Sequence, residues 1–176
     1  MRKLLVCLVS AGNSERKINM KTLITTIAAV VLVGCGPSKA ELTLFESVKL
    51  GDIEAITQHL ADGVDINAKD DWGQFTPLHY AETKNIAELL ITNGAQVNAT
   101  ARHGGTPLAS AVKRGHKGVV ELLIAVGADL NTINDTSLET PLDLTKVESW
   151  EHPEVKTVKS QIADLLRKHG GKRGKN

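Results

Sequence analysis

The sequence predicts an all-α protein built as a stack of short helix-turn-helix repeats, and three observations support this fold class. The tripeptide Thr-Pro-Leu begins at residues 76, 106 and 140, so the spacings are 30 and 34 residues. A leucine-rich segment ending in Gly-Ala follows each of the first two copies. Aromatic residues make up only 3% of the chain. That composition suits thin layers of small aliphatic side chains, as in stacked-repeat proteins, better than one large core.

The Thr-Pro-Leu motif has the chemistry of a helix start. Thr76, Thr106 and Thr140 stand where an N-cap belongs, because their hydroxyl groups can accept hydrogen bonds from otherwise unpaired amides. The proline that follows fits the first helical position, where a missing N–H group costs nothing. The motif therefore predicts the first helix of each repeat.

The leucine-rich segments predict the second helices. In the third copy the buried stripe is expected from four residues at helical spacing: Val119, Leu122, Leu123 and Val126. Gly94 and Gly127 come just after these segments, where a left-handed residue commonly ends a helix. Neither helix of a pair can bury its apolar face alone, so stacking must supply the core.

These motifs resemble the ankyrin repeat, whose period is about 33 residues and whose signature is Thr-Pro-Leu-His-x-Ala. The resemblance covers nearly all of residues 41–171 and implies an ankyrin-repeat solenoid of about four repeats. The expected domain spans 42–171, with repeats at about 42–70, 71–100, 101–133 and 134–171, of which the first and last are degenerate. Residues 172–176 form a basic tail, expected to be a frayed end, with contact to anionic lipid headgroups as the alternative.

The chain departs from the ankyrin pattern at several positions. The second copy is shortened after its signature, so its first helix should be short. The fourth copy carries an insertion at about 147–156, and Leu138 stands where the family has glycine, so that hairpin tip should be distorted. The signature histidine is present as His79 but is replaced by Ala109 and Asp143. We therefore expect the hydrogen-bond network of this histidine at His79 alone.

The N-terminal region is typical of a targeting segment. Lys21 precedes an apolar run at 22–33 that suits a secretory signal better than a membrane span of about 20 residues. The run ends in Leu32-Val33-Gly34-Cys35, which resembles the bacterial lipobox. That resemblance implies lipid attachment and cleavage at Cys35.

The signal peptide would then occupy residues 20–35, followed by a tether at 36–41. Residues 1–19 precede Met20, which is itself a good signal start, and are interpreted as a misassigned extension. The anchor would place the domain on an extracytoplasmic face of a bacterial cell envelope, towards the periplasm or the exterior.

Composition argues against several functions. Residues 36–166 hold 11 basic and 19 acidic residues, a balance that would repel a phosphate backbone, so no nucleic-acid partner is expected. The six histidines show no metal-site spacing, and no nucleophile or phosphate-binding motif is present. We therefore expect no catalysis, cofactor or metal. His79 and His116 are interpreted as structural, and His103 as either solvated or a partner contact.

Ankyrin partners usually meet the hairpin tips and first helices, and this position implies candidate partner-binding residues. They are Asp71, Trp72, Gln74, Phe75, Tyr80, Glu82, Arg102, His103, Ser110, Lys113 and Arg114. Trp72 is the strongest candidate because aromatic anchors dominate many interfaces. The alternative for Trp72 is packing against the neighbouring hairpin. Trp150 is expected to cover the C-terminal cap.

The sequence thus predicts a non-catalytic protein–protein interaction module, monomeric and lipid-anchored at a membrane, with a protein partner. One alternative is a stress-protective or inhibitory accessory of a single envelope enzyme. Another is a soluble cytoplasmic ankyrin adaptor, if the leader is not processed. An enzyme would require convergent titratable groups in a pocket.

Overall fold

The structure is a computed structural model that describes residues 43–148 and 150–174; the predicted extension, signal peptide, Cys35 and tether lie outside the described residues. The described part contains α-helices, short 3-10 helices and no strand, so the all-α class is confirmed. The elements are α1 Leu44–Leu50, α2 Ile53–Ala61, η1 Pro77–Tyr80, α3 Lys84–Thr92, η2 Arg102–Gly104, α4 Pro107–Arg114, α5 Lys117–Ala125, η3 Asp143–Thr145 and α6 Pro153–Lys168.

The helices of residues 43–174 form two layers. The first layer stacks α1, η1, α4 and η3 in that order, and the second packs α3 on α5 and α5 on α6. Each first-layer element also contacts the second-layer helix that follows it. The core lies between the layers and consists of aliphatic side chains with almost no exposed surface: Val48, Ile56, Leu90, Val112, Val120, Leu123, Ile162 and Leu166. Stacking therefore supplies the core, as a repeat array requires.

Helix ends largely follow the sequence signals. The Thr106 hydroxyl accepts a hydrogen bond from the Ala109 amide at 3.2 Å, and Pro107 is the first residue of α4. Gly94 and Gly127 have φ values of 96° and 88°, which confirms the predicted left-handed helix ends. None of the helices in the described part is long and apolar enough to cross a membrane.

The predicted stripe of α5 is partly wrong. Val119 and Leu123 are buried and Leu122 is half-buried, as expected for that face. Val126, however, is 42% exposed. The Val126 amide still donates to the Leu122 carbonyl oxygen at 3.0 Å, so the backbone follows the helix up to this residue. The buried face of α5 is centred on Val119, Val120 and Leu123, which places Leu122 and Val126 at its edge.

The first helices of the second and fourth repeats are reduced to single 3-10 turns. The short helix predicted for the second repeat is confirmed as η1. In the fourth repeat, Thr140 was expected to be an N-cap, and this is wrong because η3 begins only at Asp143. The Thr140 hydroxyl lies 2.9 Å from Asp143 Oδ2 and 2.7 Å from the Lys172 carbonyl oxygen, so it bonds to these acceptors instead.

The contacts that His79 makes with the signature threonine recur at Asp143, so the expectation of such a network at His79 alone is wrong. His79 Nδ1 accepts a hydrogen bond from the Thr76 amide at 3.0 Å and lies 2.9 Å from the Thr76 hydroxyl. Asp143 Oδ2 stands at the same distance in sequence from Thr140 and accepts from its amide at 3.1 Å and its hydroxyl at 2.9 Å. A carboxylate can replace the imidazole here because only an acceptor is needed.

We expect the stability of the array to fall as pH decreases from 7.5 to 5.5. Burial lowers the pKa of His79 below its ordinary value. The Thr76 amide donates to Nδ1, so the neutral ring must carry its proton on Nε2, which can then donate to the Gly105 carbonyl oxygen at 3.2 Å. The unfolded chain binds a proton at higher pH than the folded one, so stability is lost below the unfolded pKa.

Urea unfolding at both pH values checks this prediction. His79→Asn keeps an acceptor for Thr76 but loses the bond to Gly105, at a cost of about 1 kcal/mol at pH 7.5. Its stability should depend less on pH than that of the wild type. An unchanged pH dependence would contradict the assignment to His79.

The basic tail is ordered against the last repeat as far as Gly174, so the expected frayed end is wrong for residues 172–174. The Lys172 amide donates to Asn131 Oδ1 at 2.7 Å, and the Gly174 amide donates to Asp143 Oδ2 at 2.7 Å. Arg173 Nη1 lies 3.5 Å from Asp143 Oδ1. The tail thereby supplies partners to the last of the described repeats.

The same asparagine contact recurs between the repeats. Asn67 Oδ1 accepts from the Gln96 amide at 2.8 Å, and Asn98 Oδ1 accepts from the Asp129 amide at 2.9 Å. The bond from the Lys172 amide to Asn131 therefore continues a regular ladder. The tail takes the position that the turn of a further repeat would occupy.

Leu138→Gly is expected to raise the free energy of unfolding by about 0.5–1 kcal/mol. Leu138 has a φ of 54°, in the left-handed region where a Cβ atom is strained, and its side chain is 63% exposed. Glycine removes the strain and loses little buried surface. We expect this gain to exceed the extra backbone entropy that glycine gives the unfolded chain. Urea denaturation provides the measurement, with Leu138→Ala as the control that keeps the Cβ atom. Equal stability of the two variants would refute the explanation.

Candidate binding face

The hairpin tips and the first-layer helices form one continuous face, which we call the inner face. The first, second and third tips are residues 71–75, 102–105 and 134–139. Its first groove, of about 350 Å³, lies between the first tip and α1. Its lining residues are Thr43, Phe45, Glu46, Lys49, Lys69, Asp70, Asp71 and Trp72. Carboxylates, lysines and aromatic rings alternate around it, so this groove has mixed charge.

The second groove of the inner face, of about 450 Å³, lies between the second and third tips and extends onto α4 and η3. Phe75, Ala109 and Leu144 give it an apolar floor, while Arg102 and Lys113 line its rim. Other polar lining residues are His103, Ser110, Asn134, Thr136, Ser137 and Glu139. Its volume is in the range of about 300–1,000 Å³ that is usual for ligand pockets.

Tyr80 joins three repeats at the centre of the inner face. Its hydroxyl donates a hydrogen bond of 2.5 Å to Asp70 Oδ2. Lys49 Nζ, from α1, lies 4.2 Å from the ring centroid, and the guanidinium carbon of Arg114, from α4, lies 5.4 Å from it. Both cations are within the range of attraction to an aromatic face. Tyr80 therefore holds a lysine and an arginine from its two neighbouring repeats in fixed positions.

Electrostatics around Tyr80 keep it neutral and keep Asp70 charged. Burial and the hydrogen bond to Asp70 raise the pKa of Tyr80 to about 12. Burial also acts to raise the pKa of Asp70, but hydrogen bonds from Tyr80 and from the amides of Gly73 and Phe75 outweigh it, so this pKa is lowered. The hydroxyl thus donates and the carboxylate accepts throughout the ordinary pH range.

The aromatic rings and the backbone fix the hairpin tips. Phe75 packs edge-on against His79 and Tyr80, with ring centroids 5.3 and 5.8 Å apart. The Arg102 amide donates to the Gly73 carbonyl oxygen at 2.7 Å, which joins the first tip to the second. The tips therefore present their side chains from a supported backbone, which limits the entropy lost on binding.

Most of the predicted binding residues lie on the inner face. Asp71 and Trp72 line the first groove; Phe75, Arg102, His103, Ser110 and Lys113 line the second. Tyr80 and Arg114 form the central cluster between the grooves. Gln74 and Glu82 are exposed but line neither groove. The functional assignment of all eleven residues stays a prediction.

Both tryptophans are exposed, which decides two of the expectations drawn from the sequence. Trp72 is 87% exposed, so the alternative that it packs against the neighbouring hairpin is wrong. Trp150 is 81% exposed, so the expectation that it covers the C-terminal cap is wrong as well.

Sequence reasoning missed Phe45, Lys49 and Asp70 on the inner face. A local signal existed for Asp70, because an aspartate that opens a turn commonly accepts hydrogen bonds from the following amides. Its oxygen atoms accept from Gly73 and Phe75. For Lys49 there was none, because its contact with Tyr80 joins two repeats.

Within residues 43–148 and 150–174, no group of three or more His, Cys, Asp or Glu side chains could hold a metal ion. The polar groups of the inner face are spread over two open grooves and are suited to contacting an extended surface.

A comparison with protein-family models now identifies the fold family. The model for ankyrin repeats, in three copies, matches residues 44–134, which is more than half of the chain. The chain belongs to the ankyrin-repeat family. This family is generally non-catalytic, and its repeats are protein–protein interaction modules.

Curated relatives are similar in the repeat region. An Arabidopsis thaliana protein named as a candidate E3 ubiquitin-protein ligase is 38% identical over 126 residues, covering 68% of this chain and 27% of its own length. The mouse B-cell lymphoma 3 protein homolog is 38% identical over 101 residues, covering 54% and 22%. The 26S proteasome non-ATPase regulatory subunit 10 of Dictyostelium discoideum is 37% identical over 91 residues, covering 49% and 39%.

The chain thus spans well under half the length of these relatives. The similarity to the protein named as a ligase lies in the repeats alone. What is shared is a scaffold for interaction.

Proposed function

We propose that this chain is a non-catalytic module that binds a protein partner through its inner face, tethered by a lipid at Cys35 to an extracytoplasmic membrane face. The ankyrin family supports the mode of action, and the geometry of the inner face supports the location of the contact. The lipid anchor is supported by the lipobox-like sequence Leu32-Val33-Gly34-Cys35.

The observation that carries the binding proposal is that Trp72 is exposed on a supported hairpin tip of the inner face, a position that Trp150 does not share. Trp72 is 87% exposed, and the Arg102 amide donates to the carbonyl oxygen of the neighbouring Gly73 at 2.7 Å. Trp72 borders the first groove, beside Phe45 and Lys49. Tryptophan is enriched among interface residues that contribute most of the binding energy. Trp72 is therefore assigned as the anchor of the partner contact.

Trp72→Ala tests the binding proposal, and Trp150→Ala is a matched control because Trp150 is also exposed but lies outside the inner face. Partners are captured from cell membranes with tagged wild-type and variant chains and then measured by titration. Loss of the Trp72 side chain should weaken the affinity for a partner that binds saturably by at least about 2 kcal/mol, roughly 30-fold. The control variant should keep the wild-type affinity. Identical partners and affinities for wild type and Trp72→Ala would refute the assignment.

The anchor is tested separately by metabolic labelling with a fatty-acid analogue. The wild type should incorporate the label and sediment with membranes, and Cys35→Ala should do neither. Labelling that is absent from the wild type would favour the alternative of a cytoplasmic adaptor.

A further inference from the structure

The second groove combines an apolar floor with cations that lack an acidic partner. Arg102 and Lys113 are exposed on its rim, and no ion pair joins either of them to a carboxylate in the described part of the chain. Glu139 is the one carboxylate among the described residues that line this groove. The repeat domain as a whole is acidic, so this local excess of positive charge runs against the background.

The two grooves differ in the partner that they suit. The first has three carboxylates, Glu46, Asp70 and Asp71, against two lysines, at 49 and 69, so its balance of charge is negative and disfavours an acidic ligand. The second has one carboxylate, Glu139, against Arg102 and Lys113. Charge complementarity therefore selects the second groove for an acidic ligand.

The shape and floor of the second groove define the rest of the ligand. Phe75 and Leu144 are half-buried, so each still presents apolar surface to the groove. The cations come from different elements, Arg102 from η2 and Lys113 from the last turn of α4. An extended segment with alternating side chains can place one apolar side chain on the floor and carboxylates towards both cations.

We infer that the second groove binds an extended acidic segment of the partner protein, with an aliphatic side chain on Phe75 and Leu144 and carboxylates beside Arg102 and Lys113. This inference rests on the proposed function, because it names the chemistry of the partner that the inner face recognises. The ion pairs formed there are exposed, so they contribute selectivity and association rate more than affinity.

The test begins with selection of a random heptapeptide phage library on the full chain. Enriched sequences should combine two or more Asp or Glu residues with a Leu, Ile or Val. A labelled synthetic peptide of the enriched sequence is then titrated by fluorescence polarisation. Binding should weaken as NaCl is raised, because exposed charge pairs are screened.

Two double variants separate the groove from general charge. Arg102→Glu with Lys113→Glu should weaken the affinity for the peptide by about tenfold or more, since two attractive charge contacts become repulsive. Lys84→Glu with Lys168→Glu makes the same charge change at exposed positions outside the groove, and binding should change less than about twofold. Both side-chain pairs are exposed, and circular dichroism should show that every variant is folded.

Three outcomes would overturn the inference: no enrichment, enrichment of neutral or basic peptides, or equal binding by the groove variant and the wild type. Capture with Trp72→Ala distinguishes this failure from failure of the proposed function. If Trp72→Ala loses a partner that the groove variant retains, the inner face binds a protein, and only the inference of an acidic segment in the second groove fails. If the wild type binds no partner, the proposed function fails.

Discussion

Leu123→Ala is expected to lower the free energy of unfolding by about 3–4 kcal/mol. The Leu123 side chain is completely buried, and α5 is packed between α3 and α6 in the second layer. Truncation removes apolar contacts and leaves a cavity with helices on both sides. Because the layer is one helix thick, the neighbours cannot close the cavity without shifting the stacking of the repeats.

A loss of that size is a large part of the stability of a small domain, which is commonly about 5–15 kcal/mol. Urea unfolding followed by circular dichroism measures it. Leu50→Ala is the control, because Leu50 has the same side chain but is 69% exposed, and it should change stability by less than about 0.5 kcal/mol. Similar losses for the two variants would show that the core does not centre on α5.

The success of the sequence in predicting the repeats has a local cause. The Thr106 cap with the following proline, and the glycine at 127, each act within a few residues of their own helix end, so their roles can be deduced without the fold. The burial of Leu123 follows from helical spacing in the same way. Val126 was misjudged because helical spacing alone does not show where the buried face is centred, and the packing of α5 buries Val119, Val120 and Leu123 most deeply.

Contacts between repeats could not be deduced in this way. Asp143 makes local contacts with Thr140, but its bond from the Gly174 amide, 31 residues away in sequence, could not be foreseen. The tail looked like a solvated end because its composition is basic and polar. Lys49 was not considered because its contact with Tyr80 joins α1 to η1. In each case the deciding partner comes from a different repeat or from beyond the last one.

Asp143→Ala is expected to cost about 2–3 kcal/mol and to release the tail. The Asp143 side chain is 6% exposed and its Oδ2 atom accepts hydrogen bonds from the amides of Thr140 and Gly174. Without it, the Thr140 amide is buried and unpaired, a loss of about 1–3 kcal/mol, and the contact with Arg173 disappears. Hydrogen exchange should show faster exchange at Gly174, whereas residues of α1 should keep wild-type protection.

The charge of Asp143 makes this stabilisation depend on pH. Burial acts to raise the pKa of Asp143, but hydrogen bonds from Gly174 and Thr140 outweigh it, so the folded pKa lies below the ordinary value. The contribution is therefore fully present above the unfolded pKa of about 3.9 and is lost as pH falls towards the folded pKa.

Asp143→Asn isolates this effect, because every other carboxylate titrates in both proteins. The variant should be about 1 kcal/mol less stable than the wild type at pH 5, since it keeps an acceptor but loses the charge that Arg173 and two amides contact. The difference should shrink at pH 3, below the unfolded pKa of about 3.9, because the unfolded wild-type chain then binds a proton at this carboxylate more readily than the folded chain does. Urea unfolding at both pH values measures the difference, and a difference that is as large at pH 3 as at pH 5 would mean that the Asp143 charge does not hold the tail.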